Sequence, residues 1–115
     1  MLVDLLPEFS DLIRDIDISY FRDEIGSFEL VATIYLHDKT MIHVKDYLFR
    51  NGDRKYAYQW QDRNDALIAR WDNAEHWRKL TSYPHHVHFC NIHEPESTTI
   101  QDIHSVLRYI RYNPQ

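Results

Sequence analysis

Phe28-Glu29-Leu30-Val31-Ala32-Thr33-Ile34-Tyr35-Leu36 is the stretch that decides how this chain folds. Phe28, Leu30, Ala32, Ile34 and Leu36 recur at every second position, so in an extended backbone all five side chains leave the same face. That is the period of a half-buried strand, one face against a core and the other toward solvent. Upstream, Gly26-Ser27 supplies a turn, and residues 15–24 (DIDISYFRDE) begin with the alternation expected of an edge strand. Residues 2–14 are apolar with interspersed acids and read as a short helical or capped segment broken near Pro7. Downstream, His37-Asp38-Lys39 is a turn and 40–49 the next strand, whose even face holds Ile42, Val44 and Leu48 with Asp46 among them.

The pattern continues through the middle of the chain. Asn51-Gly52-Asp53 is the strongest turn signal, because Asn-Gly accepts the positive φ angles of tight hairpins. Beyond it Tyr56, Tyr58 and Trp60 alternate with Lys55, Ala57 and Gln59. Residues 66–72 form a partner strand with Ile68, Arg70 and Asp72 on one face and Leu67, Ala69 and Trp71 on the other. Residues 73–80 read as a loop with a helical turn, and 86–92 as a last strand. Ser97-Thr98-Thr99 is the expected cap of a helix over about residues 100–112, whose apolar positions Ile100, Ile103, Val106, Leu107 and Ile110 need a sheet to lie on. The expectation is an α+β fold: a twisted antiparallel β-sheet meander packed by an N-terminal helical segment and a C-terminal helix, as a single domain over residues 1–115.

Composition narrows the function classes. With 115 residues, 43% hydrophobic and 27% charged, the chain has the make-up of an ordinary globular domain. Two glycines leave no room for a glycine-rich phosphate cradle, and the lone Cys90 excludes both an intramolecular disulfide and a cysteine-based zinc cluster. No apolar run is long enough to span a bilayer, and the N-terminus lacks the basic flank of a signal peptide, so a cytoplasmic location without a membrane partner is expected. The net charge of −5 is unevenly spread: residues 1–38 carry −7 and the remainder +2, seven of the eight histidines lying in that remainder. An acidic edge beside a mildly basic, histidine-rich region directs a polyanionic ligand to one side only, although a solvated acidic surface without a partner has the same composition.

Ser82-Tyr83-Pro84-His85-His86-Val87-His88-Phe89 is where chemistry concentrates, and five of the eight histidines fall between His76 and His93. In an extended backbone His86 and His88 share a face. Imidazole serves proton transfer, phosphate contact or metal ligation near neutral pH. Asp46, Arg70 and Asp72 are charged residues on strand faces that also carry aliphatic side chains, so each must be paired, exposed at the sheet end, or functional. The strands are expected to gather Tyr56, Tyr58, Arg70, Asp72, His86 and His88 on one concave surface. That inventory suits phosphodiester cleavage, with aromatic rings to stack on unpaired bases. Cross-strand packing of Tyr56, Tyr58 and Trp60 and a structural Arg70–Asp72 ion pair fit the same residues. Neither HExxH nor a Cys/His pattern is present; a metal would have His86 and His88 plus an unidentified third ligand, and no cofactor is assigned.

Three segments together resemble the TumE-like family of type II toxin–antitoxin toxins: Tyr56-Ala57-Tyr58-Gln59-Trp60, Leu67-Ile68-Ala69-Arg70-Trp71-Asp72-Asn73-Ala74, and Tyr83-Pro84-His85-His86-Val87-His88. The resemblance covers about residues 28–110, and the RxDNA and PHHxH elements carry most of its specificity. The family pattern has Glu where this chain has the shorter Asp46. The resemblance implies an intracellular toxin with a cognate DNA-binding antitoxin, often of winged-helix type. From the residues, the expected activity is a metal-independent ribonuclease. His86 and His88 act as base and acid or as phosphate contacts, Arg70 offsets developing charge, and Asp72 or Asp46 orients an imidazole. Tyr56, Tyr58, Trp60 and His85 would hold an RNA or nucleotide substrate. The alternatives are a non-enzymatic module that binds nucleotide, RNA or protein, and a metal-dependent phosphoesterase; a homodimer remains open.

Overall fold

The computed structural model describes residues 4–115; expectations for residues 1–3 lie outside the described residues. Its elements in chain order are α1 (Leu5–Glu8), β1 (Ile13–Glu24), β2 (Ser27–Leu36), β3 (Met41–Leu48), β4 (Arg54–Gln61), β5 (Leu67–Asp72), β6 (His86–Phe89), β7 (Glu96–Ser97) and α2 (Ile103–Tyr112). The seven strands lie side by side in sequence order, each antiparallel to the next. The α+β meander read from the alternating patterns is therefore the fold observed. Among the described residues, no helix is long and apolar enough to cross a membrane.

Register explains how one sheet separates a core from a polar surface. Residues directly opposite in an antiparallel pair share a face. Ala32, Val44, Tyr58, Trp71 and Val87 line up across β2 to β6, and so do Ile34, Ile42, Trp60, Ala69 and Phe89. All but Phe89 are buried, and Phe89 packs against them partly covered. α1 and α2 cover this face: Leu5, Phe9, Val106, Leu107 and Ile110 are buried with it, and Tyr109 meets Trp71 edge-on at 5.3 Å. Asp11 ties the two helical ends together through Arg111, at 2.6 and 2.9 Å.

Three local boundaries depart from the sequence reading. α2 begins at Ile103, capped by Asp102, whose carboxylate accepts from Ser105 N at 2.8 Å. Ser97 instead pairs with His86 in the short β7, and Thr98 bonds Ile100 N. The β3–β4 turn is wider than an Asn-Gly hairpin: Leu48 pairs with Arg54, Gly52 takes φ +91°, and Asn51 bonds Asp53 through both main chain and side chain. The strand expected over 86–92 stops at Phe89, Asn91 turning the chain at φ +63°, and it is not the last, since β7 follows. Pro7 lies within α1; in a first helical turn its missing N–H has no partner to lose.

Candidate functional site

On the open face two further rows cross the sheet. Val31, Lys45, Ala57, Asp72 and His86 form one; Thr33, His43, Gln59, Arg70 and His88 form the other. The β5–β6 register sets Asp72 opposite His86 and Arg70 opposite His88, and it brings four of the sequence-predicted residues together.

Asp72 is the centre of this group. Its side chain is 7% exposed, and both oxygens are engaged. Oδ1 lies 2.9 Å from His86 Nε2 and accepts from Ala74 N at 3.0 Å; Oδ2 lies 3.2 Å from Arg70 Nε and 3.9 Å from His88 Nε2. A buried carboxylate needs such partners, since an unpaired one is costly. His86 is 1% exposed and has an acceptor at each end of its ring: Asp72 at Nε2 and the Pro84 carbonyl, 2.9 Å away, at Nδ1. A carbonyl only accepts, so Nδ1 carries a proton; Nε2 then meets the carboxylate through a second proton or through a cation.

The neighbouring segments fix this geometry. Asn73 extends the β5 ladder with its side chain, accepting from Tyr56 N at 2.9 Å and donating to the Arg54 carbonyl at 2.7 Å. Asp72 and Ala74 close a turn over it. These contacts give the Asp72-Asn73-Ala74 run a structural logic. Ser82 donates to the His85 carbonyl and accepts from Thr98 N at 3.1 Å, holding the turn that delivers His86.

Arg70 and His88 are the members that reach solvent. The Arg70 side chain is 45% exposed, with Nε 3.2 Å from Asp72 Oδ2. His88 is 28% exposed, stands edge-on to His86 at 4.8 Å, and contacts Trp77 edge-on at 6.2 Å. Burial and the adjacent His86 lower its pKa below the ordinary histidine value. A cleft of about 930 Å³ opens over Arg70, Asp72, His86 and His88, with His76, Trp77 and His93 in its wall. Sequence reasoning did not assign a role to those last three or to Gln59. The cluster of histidines between residues 76 and 93 was the signal available for two of them.

The remaining predicted site residues lie elsewhere, which corrects the expectation of one shared concave surface. Asp46, Tyr56, Tyr58 and Trp60 belong to the helix-covered face, because their positions differ by one from those facing Asp72 and Arg70. Asp46 accepts from Arg54 at 3.0 and 2.9 Å and from Tyr58 Oη at 2.8 Å, so it is far from free to orient His86 or His88. Trp60 Nε1 donates to Thr40 Oγ1 at 2.9 Å. Tyr56 stacks on Tyr58 and on His85, and its hydroxyl meets His85 Nδ1 at 2.7 Å. Burial raises the pKa of both phenols and, with Arg54 nearby, lowers that of His85, so the phenol is the donor in that bond. As folded, these aromatic rings pack the core and are not presented to the cleft.

The group also has the composition of a metal site. Candidate ligand atoms of Asp72, His86 and His88 lie within 4.8 Å of one another, which makes Asp72 the candidate for the third ligand. The His86 Nδ1–H to carbonyl bond is of the kind that orients metal-ligating histidines.

A family model described as Toxin TumE matches residues 2–112, extending the resemblance of the central motifs to nearly the whole chain. No curated protein and no solved structure matches it.

Proposed function

This chain belongs to the TumE toxin family, and from that premise we propose that it inhibits growth by cleaving RNA in the Arg70–His88 cleft. Family membership itself implies the toxin of a toxin–antitoxin pair, with an antitoxin as partner. The observation that carries the chemical reading is the pairing of two solvent-reaching groups, His88 and Arg70, on one buried Asp72–His86 unit.

A histidine with a lowered pKa is neutral at pH 7 and accepts a proton. His88 removes the proton of a ribose 2′-hydroxyl; that oxygen attacks the adjacent phosphorus, and the bond to the 5′ oxygen breaks. The products are a 2′,3′-cyclic phosphate and a 5′-hydroxyl, the latter protonated by His76 or His93 from the cleft wall. Arg70 offsets the charge that gathers on the phosphoryl oxygens. Asp72 and His86 are positioning residues here, since both are buried and engaged. His86 as a proton donor to substrate, the role its sequence position suggests, is replaced in this scheme. No metal takes part.

The test is expression of the toxin without antitoxin, followed by 3′-end analysis of cellular RNA. His88→Ala and Arg70→Ala should each abolish growth inhibition, and purified protein should leave a 2′-deoxy analogue of a cleaved RNA intact. Undiminished toxicity of folded His88→Ala would refute the scheme. A second reading, metal-dependent phosphodiester cleavage, is favoured by the Asp72/His86/His88 cluster, where a divalent ion takes the place of the second His86 proton. Loss of activity with a chelator, restored by zinc or manganese, would select it.

A further inference from the structure

A second cavity, of about 600 Å³, continues from the cleft across the open face, and the two share Gln59, Arg70, Asp72 and Ala74. We propose that it is a track for single-stranded RNA, which leads the strand from the cleft over β4 to β2; the proposal rests on the cleavage reading above and names where the rest of the substrate lies.

Charge is the first argument. In a chain of net charge −5, the cavity is lined by three permanent cations, Lys45, Lys55 and Arg70, and by His43. Its one acid, Asp72, is already held by Arg70 and His86. With Arg70 matched to Asp72, Lys45 and Lys55 leave this concave surface net positive on an acidic protein, which concentrates field where a polyanion must pass.

Shape is the second. Ala57 sits directly between Lys45 and Asp72 in the cross-strand row, so the floor dips where a larger side chain would fill it. Val31, Thr33 and Gln59 complete a low, mixed floor suited to bases and ribose, and Lys45 and Lys55 stand exposed beside it. From His88 on β6 to His43 on β3 is three strand spacings, about 14 Å. That length accommodates about four nucleotides of a stacked strand, the lower end of what single-strand-binding domains cover.

The experiment uses the full chain and a fluorescein-labelled 2′-O-methyl RNA decamer, which cannot be cleaved through a 2′-hydroxyl. Anisotropy titrations run from 50 to 300 mM salt. Each phosphate contact contributes about 0.7 to the slope of log affinity against log salt for a single strand. Lys45→Gln with Lys55→Gln should therefore weaken binding about tenfold and flatten the slope by about 1.4. Lys39→Gln with Lys79→Gln removes equal charge outside the track and should change neither. Ala57→Phe, which fills the floor from the solvent side, should weaken binding with the slope retained, provided its circular dichroism matches the wild type. No binding of the decamer by the wild type, or equal effects of both lysine pairs, overturns the track. Binding with this pattern but no cleavage of ordinary RNA supports the track and defeats the cleavage reading; cleavage with indifference to Lys45, Lys55 and Ala57 does the reverse.

Discussion

Replacing Asp46 by alanine should destabilise the protein without touching its chemistry. The carboxylate accepts from Arg54 Nε and Nη2 and from Tyr58 Oη, at 3.0, 2.9 and 2.8 Å, and its side chain is 15% exposed. Breaking one partner of a buried ion pair costs about 3–5 kcal/mol, because the other is left uncompensated. Arg54 is only two-thirds buried and keeps the Gln101 carbonyl at 2.7 Å and the Tyr58 hydroxyl at 2.6 Å, so solvent and these acceptors recover part of the loss. The expected cost is about 2–3 kcal/mol. For a domain of this size that lowers the melting midpoint by about 8–12 °C. Urea unfolding of wild type, Asp46→Ala, Tyr58→Phe and the double variant gives both the cost and the coupling between the two groups. A loss below about 0.5 kcal/mol would refute the clamp, since that is the range of an ordinary surface change. A changed pH–activity profile in the folded variant would return Asp46 to the chemistry.

Growth inhibition or cleavage should rise with pH along its acid limb through a midpoint below 6.5, because burial and His86 lower the His88 pKa, and fall again as the proton-donating histidine of the cleft wall loses its proton; an acid-limb midpoint above 6.5 in a kcat/KM profile would contradict the assignment. The same shift bears on stability. Between the folded and unfolded pKa values the unfolded chain binds more protons, so the contributions of His88 and His85 are fully present above about 6.5 and are lost as pH falls through their lowered values, visible in urea midpoints from pH 5 to 8. Asp72→Asn should disable the site more than Arg70→Lys, since the amide loses the charge and must turn its NH2 either toward His86 and Ala74 or toward Arg70, setting donor against donor on one side, with growth inhibition as the readout. Trp60→Phe should cost about 1 kcal/mol more than Trp71→Phe in the same unfolding assay. The Trp60 substitution leaves Thr40 without its indole donor, whereas Trp71 Nε1 is the buried side-chain polar atom without a partner among the described residues.

The meander was legible because each strand writes its period into the sequence. Phe28 to Leu36 alternates cleanly, and so does Tyr56 to Trp60, so element type and order followed from parity alone. The cap of α2 was harder to read because Ser97, Thr98, Thr99 and Asp102 all have capping side chains. Which one starts the helix depends on β7 claiming Ser97, a long-range pairing with His86. The site was half legible for a related reason. Arg70 with Asp72, and His86 with His88, share a face within their own strands, which sequence spacing reveals. Whether Tyr56 and Tyr58 join them depends on register between β4 and β5, and spacing within one strand carries no information about the next. A one-residue difference in that register would have placed the tyrosines beside Arg70. What decides against it is burial: Tyr58 and Trp60 must meet Trp71 and Ala69 under α2, and Ala57 and Gln59 then fall opposite Asp72 and Arg70. The large aromatic residues within the family segments thus serve the cleft by absence. By packing inward they leave small and amide side chains on the open face, where the guanidinium of Arg70 and the imidazole of His88 line the cleft.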